Sequence, residues 1–127
     1  MERLVLICAG GALGTGARYL VTAWAVARFG TSFPFGTLIV NIAGCLLMGL
    51  VMQAAVLIAE FPPNLRLGLT TGFLGGLTTY SSFAFETTHL FRGSERMGAV
   101  LNFGLTTVAC FAAVALGMTL ARGFVGR

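Results

Sequence analysis

The sequence predicts an all-α integral membrane protein, a single domain over residues 1–127 with four transmembrane helices. Three observations lead there. The 127 residues are 57% hydrophobic and only 9% charged, against roughly 25% charged residues in a soluble domain. The mean hydropathy is +0.91. The apolar residues also fall into four runs, approximately 4–27, 35–59, 67–91 and 97–120, each long enough for the roughly 20 helical residues that cross a roughly 30 Å hydrocarbon core.

The same composition removes whole classes of function. Four acidic residues, all Glu, and one His leave too few titratable groups for ordinary acid–base or metal chemistry, so an enzyme is not expected. The net charge of +4 comes from eight Arg spread singly along the chain, which lacks the basic cluster that binds nucleic acid. Cys8, Cys45 and Cys110 lie inside apolar runs, where free thiols act as small hydrophobes and imply no disulfide framework.

Taken in order, the first run opens at Leu4 and is too long, with no cleavage site leading into a soluble chain, to read as a signal peptide. Gly10, Gly11, Gly14 and Gly16 within it allow close helix contact. Arg18 follows about 21 Å along that helix at 1.5 Å per residue, where it either snorkels to the far interface or serves a function. The second run places Thr37 and Asn41 four residues apart, on one helix face. Asn41 either bonds a neighbouring helix or donates to an anion. Pro62 and Pro63 stop this helix.

The third run, Gly72-Phe73-Leu74-Gly75-Gly76-Leu77-Thr78-Thr79-Tyr80-Ser81-Ser82-Phe83, is the least helix-like. Adjacent glycines followed by hydroxyl residues weaken a helix, since Gly costs about 1 kcal/mol and Ser and Thr offer the backbone other partners. A break at mid-membrane is expected. Freed carbonyls there are ligands for a hard cation, and broken backbone survives only where protein or a polar cavity shields it. The alternative is an intact helix packed through Gly72 and Gly76. Tyr80 and Phe83 become neighbours if the helix resumes, and ring edges can solvate a small anion without trapping it. Glu86 sits near the span's end with Arg92 as an obvious partner, and His89 has no companion ligand. In the fourth run Asn102, Thr106 and Cys110 recur every fourth residue as one polar stripe. With Thr37, Asn41 and Ser81 it can furnish a file of hydrogen-bond donors.

Charge gives little orientation. Arg3, Arg66, Arg122 and Arg127 belong to one side and Arg28, Arg92 and Arg96 to the other, so the bias that sets topology is nearly absent. Dual insertion is expected, and four helices are few for a solvated path with its supporting shell, so an inverted homodimer is expected as the working unit.

The blocks Gly10-Gly11 through Gly14 to Arg18-Tyr19, Phe35-Gly36-Thr37-Leu38 with Val40-Asn41 and Gly44, and Gly72 through Phe83 make the chain resemble the Fluc, or CrcB, family of small bacterial fluoride channels over nearly its whole length. The resemblance implies an antiparallel homodimer in the bacterial inner membrane, with two fluoride pores and a structural sodium ion on the dimer axis. It implies that the backbone carbonyls of Gly75 and Thr78 from both subunits bind sodium. It also implies that Asn41, Tyr80 and Phe83 line the pore, and that Ser81, Thr37, Thr106 and Glu86 form the polar track or its mouth, with Arg18 structural. Tyr80 stands where the family usually has Phe. The main rival is a small proton-coupled multidrug exporter, but that needs a deep carboxylate, and Glu86 lies near an end. A second rival is a scaffold whose glycines serve packing alone.

Overall fold

The computed structural model describes residues 1–125, and every regular element among them is helical. Arg127, counted above for topology, lies outside the described residues. Helix α1 runs Glu2–Phe29. Glu2 in its first turn and Arg28 in its last complement the helix dipole, and Gly30 ends it at φ 78°, a conformation that suits glycine. Helix α2 spans Phe35–Leu57, directly after Pro34. The longest helix, named α6 below, covers Arg96–Val125. These three helices are long and apolar enough to cross a membrane.

Between them the chain is interrupted, as the glycine and hydroxyl pattern leads one to expect. Short helix α3, Pro63–Leu67, starts on a proline, whose missing amide hydrogen costs nothing at a first turn. A π-helical stretch follows at Gly68–Leu74, then the single turn α4, Gly75–Leu77. Thr78 and Thr79 are extended, and helix α5 resumes over Tyr80–Arg92. The π-helical stretch carries no sequence signal of its own. Its widened turn lies against α1, and the Thr70 hydroxyl donates back to the Arg66 carbonyl at 2.8 Å, a side-chain bond that competes with the helical ladder. The outer spans are a few residues longer than expected, and α2 ends at Leu57 rather than residue 59.

Two seams hold the fold. In the first, α1 lies on the broken segment backbone to backbone. A Cβ on Gly14 would strike the Phe73 carbonyl, and one on Gly76 would strike the Gly11 carbonyl. The glycines on both sides therefore serve close packing, although the segment that holds Gly76 is broken. In the second, α2 lies on α6, with Gly49 against the Val114 carbonyl and Gly117 against the Leu46 carbonyl. Val40, Leu74 and Leu77 join the two seams as the central apolar cluster.

The chain ends are arranged as the arginine tally assumed. Arg3 Nε donates to Asn64 Oδ1 at 3.2 Å, and Asn64 Nδ2 donates to Glu2 at 3.3 Å. Arg122 Nη2 reaches Gln53 Oε1 at 3.5 Å. The start of α1 thus meets α3, while the end of α6 meets the end of α2.

Candidate functional site

Breaking a helix leaves backbone groups without partners, and each must be satisfied in an apolar surround. Asn41, buried on α2, does this at Thr79. Its Oδ1 accepts from the Thr79 amide at 2.7 Å, and its Nδ2 donates to the Thr79 carbonyl at 3.0 Å. The carboxamide thus replaces a peptide group. An Asn Nδ2 carries two hydrogens, so one donor remains beyond the clamp.

Thr79 also starts α5. Its hydroxyl accepts from the Ser82 amide at 3.2 Å, the usual bond of a threonine N-cap, and it donates to the Ser82 hydroxyl at 3.0 Å. The exposed Ser81 hydroxyl lies 3.3 Å from the same oxygen.

These bonds redirect two amides. In an unbroken helix the Thr79 amide would close on the Gly75 carbonyl and the Ser82 amide on the Thr78 carbonyl. Here the first goes to Asn41 and the second to the Thr79 side chain. The carbonyls of Gly75 and Thr78 are left without those donors, and Gly75 is exposed on the monomer surface. Neutral carbonyl oxygens released in this way are the donor type a hard cation takes, so the residues fit a sodium ion.

The rings follow directly. Tyr80 and Phe83 meet edge to face with centroids 5.6 Å apart and planes at 60°, and Phe83 stacks on Phe103 of α6 at 6.2 Å. Phe83 is buried, whereas Tyr80 is 79% exposed. An aromatic that open on a membrane protein faces lipid or another chain.

The expected polar stripe of α6 is turned inward at Asn102 and Thr106, both buried, with Cys110 half-buried. Thr106 donates to Asn102 Oδ1 at 3.3 Å, Asn102 Nδ2 donates to the Thr87 hydroxyl at 2.8 Å, and Thr87 donates to the Phe83 carbonyl at 2.7 Å. The file runs along α5 and α6. Sequence reasoning missed Thr87, whose only signal is its place on α5 beside the stripe, and missed the double role of Thr79, which its position at a helix start could have suggested.

Thr37 does not join Asn41 on this file. Its hydroxyl donates to Glu86 Oε1 at 2.8 Å, and both residues line a smaller cavity of ≈ 170 Å³ near the α1–α2 turn. Glu86 is thus tied to Thr37 and not to Arg92, and its other carboxylate oxygen is buried with no hydrogen-bond partner among the described residues. Arg18 is half-buried midway along α1, outside both cavities.

Asn41, Thr78, Thr79, Tyr80, Phe83 and Thr106 converge on one cavity of ≈ 340 Å³, completed by Cys45, Thr107, Cys110, Phe111 and Val114. Amide and hydroxyl donors, ring edges and an open side meet there without a full charge.

A family model described as CrcB-like protein, Camphor Resistance (CrcB), matches residues 5–118. The chain is 46% identical over 122 residues to the protein named fluoride-specific ion channel FluC of Citrifermentans bemidjiense, covering 96% of this chain and 98% of that one. It is 45% identical over 126 residues to the FluC protein of Anaeromyxobacter dehalogenans, covering 99% and 100%, and 44% identical over 125 residues to that of Sorangium cellulosum, covering 98% of each.

Proposed function

The chain belongs to the CrcB family, and on that premise we propose that it is a fluoride-specific channel of the bacterial inner membrane, working as an antiparallel homodimer. It is a channel and not an enzyme. The segment Pro63–Arg92 crosses as a broken span, the fourth beside the three long helices. The proton-coupled exporter gains no support from the relatives.

The observation that carries the reading is the helix break at Thr78–Thr79, held by Asn41 and opening onto the ≈ 340 Å³ cavity. Fluoride is small and strongly hydrated, so a path must replace its water shell while width excludes larger anions. The free Nδ2 hydrogen of Asn41, the Thr106 hydroxyl and the edges of Tyr80 and Phe83 serve as that replacement. Because Thr106 holds Asn102 only at 3.3 Å, its hydroxyl can turn to the ion at little cost. None of these groups bears a full charge, so the ion binds and leaves. Glu86 with Thr37 forms a mouth near the α1–α2 turn, and Ser81 extends the track toward the partner copy.

Exposure of Gly75, Tyr80 and Ser81 supports a second copy on that face. Sodium on the dimer axis, held by the Gly75 and Thr78 carbonyls, would join the two copies there. Dual insertion rests on the nearly balanced arginines. With the cell interior negative, each 100 mV contributes about 2.3 kcal/mol per charge, roughly a fifty-fold outward bias on an anion, so no fuel is required.

The test is efflux from liposomes containing the purified protein. Voltage alone should release fluoride and leave chloride inside. Equal passage of both, or a drug uptake that needs a pH gradient, would refute the reading. A C-terminal reporter should read out on both sides of the membrane, and replacing sodium by a bulky organic cation should weaken the dimer.

A further inference from the structure

The cavity holds a pair of groups that conduction leaves unused. Cys45 lies one turn beyond Asn41 on α2, Cys110 lies one turn beyond Thr106 on α6, and both line the ≈ 340 Å³ space. Gly49 of α2 packs on Val114 of α6, and Cys45 and Cys110, each four residues earlier, therefore stand at one level of the α2–α6 seam, with neither in a disulfide. Cys8 is exposed on α1 and belongs to no part of this cavity.

We propose that Cys45 and Cys110 form a two-thiol binding site for a soft, linearly coordinated d10 dication of the mercuric type, seated in the anion path. The donor set selects the class. Thiolate sulfur prefers soft metals, and among the described residues no group of three or more His, Cys, Asp or Glu is gathered as a metal site, so zinc finds no tetrahedral set. Charge selects within the soft metals. Phe83, Phe111 and Val114 make the walls largely apolar, where an uncompensated charge is costly. Two thiolates on a monovalent cation leave a net negative complex, whereas two on mercuric ion leave a neutral one.

The chemistry balances without an oxidant. Each S–H bond breaks heterolytically and gives its proton to water, two S–Hg bonds form, and the oxidation state of neither sulfur nor mercury changes. The neutral bridge sits one turn from Asn41 and Thr106. It narrows the cavity one turn beyond the donors, and so closes the path. That last step rests on the channel reading, whereas the binding does not.

The experiment uses full-length protein with Cys8→Ser, titrated with mercuric chloride in detergent. Intact mass should show one mercury per chain replacing two hydrogens, with both remaining thiols lost to maleimide. Cys45→Ser or Cys110→Ser in that background should weaken binding roughly 100-fold or more, because the second thiol of the pair reacts intramolecularly. Two independent single-thiol adducts, or undiminished affinity in either serine variant, would overturn the site. In liposomes, mercuric chloride should stop fluoride efflux of the Cys8→Ser protein, and a dithiol chelator should restore it. Full occupancy with unchanged efflux would overturn the placement in the path. A protein that passes no fluoride before mercury is added counts against the channel reading alone, and the mass and thiol data then decide the site.

Discussion

The two sides of the broken segment are built from opposite materials. Between α1 and the broken segment, glycines bring backbone against backbone, and Gly10, Gly14 and Gly76 leave no room for a methyl group. Between α2, α5 and α6, side chains of Asn, Thr, Cys and Phe stand apart around a cavity of ≈ 340 Å³. One broken segment takes part in both. Its glycine half, Gly68–Leu77, is gripped by α1, and its hydroxyl half, from Thr78 on, faces the cavity. Close packing on one side fixes where the backbone breaks, which lets the other side stay open without collapsing. A rigid support and a polar opening are therefore two consequences of one interruption.

The sharpest way to break this contrast is to fill the closed seam. Gly14→Leu would drive a side chain into the Phe73 carbonyl, and overpacking of this kind costs about 1–3 kcal/mol even where flexible side chains can give way, whereas here the obstacle is backbone. No monodisperse protein should be recovered by size-exclusion chromatography. Gly16→Ala is the matched control, since nothing lies within 4 Å of its Cβ position, and it should purify as the parent does.

Asn41 joins the two seams, and its replacement should have the next largest effect. Asn41→Leu keeps the branched skeleton but orphans the Thr79 amide and carbonyl, at about 1–3 kcal/mol for each buried group left unsatisfied. The thermal midpoint should fall by several degrees and fluoride efflux should fall beyond detection. Asn41→Asp keeps the acceptor, loses the donor and introduces a charge. Folded protein with abolished efflux in that variant would show that the bond from the Thr79 amide is enough to hold the break while the donor end serves the path, and unimpaired efflux would remove Asn41 from the path.

The break was legible in the sequence because its cause is local. Paired glycines followed by Thr78 and Thr79 weaken the helix by propensity alone, and the backbone opens at those threonines. The three long helices were legible for the same reason, since length and hydropathy are properties of the run itself. What bridges the break was not. Asn41 and Thr79 lie 38 residues apart, and nothing in either segment says that a carboxamide will replace a peptide group. Glu86 illustrates the same limit. Its neighbour in sequence, Arg92, looked like a partner, but packing of α2 on α5 delivers Thr37, 49 residues away. The π-helical stretch likewise answers to the α1 surface opposite it rather than to any composition of its own. Hydroxyl residues in an apolar run announce that polar groups must meet, and only tertiary packing decides which.

Within the open seam, the effect of a change should track the burial of the group removed. Thr106→Val is nearly isosteric and deletes one buried hydroxyl whose bond to Asn102 is long. The bond lies within α6, and even interhelical hydrogen bonds in membrane proteins average only about 0.6 kcal/mol, so stability should change by less than about 1 kcal/mol. Efflux should nonetheless drop several-fold, because a donor facing the ion is gone. A stability loss without any change in efflux would place Thr106 outside the path.

Tyr80→Phe should have the smallest effect, and for a reason that sharpens the contrast. The ring that meets Phe83 edge to face is retained, and the phenol belongs to a residue 79% exposed on the monomer, so removing it leaves no buried partner unsatisfied. Surface changes of this kind lie within about 0.5 kcal/mol. Efflux measured beside the parent in the same liposomes should stay within about threefold, the equivalent of roughly 0.6 kcal/mol in a barrier. A larger loss would mean that the Tyr80 hydroxyl is buried and bonded in the assembled protein. The rim of the cavity would then be finished by the second copy as tightly as the glycine seam is finished within one chain, and the open side would exist only in the separated subunit.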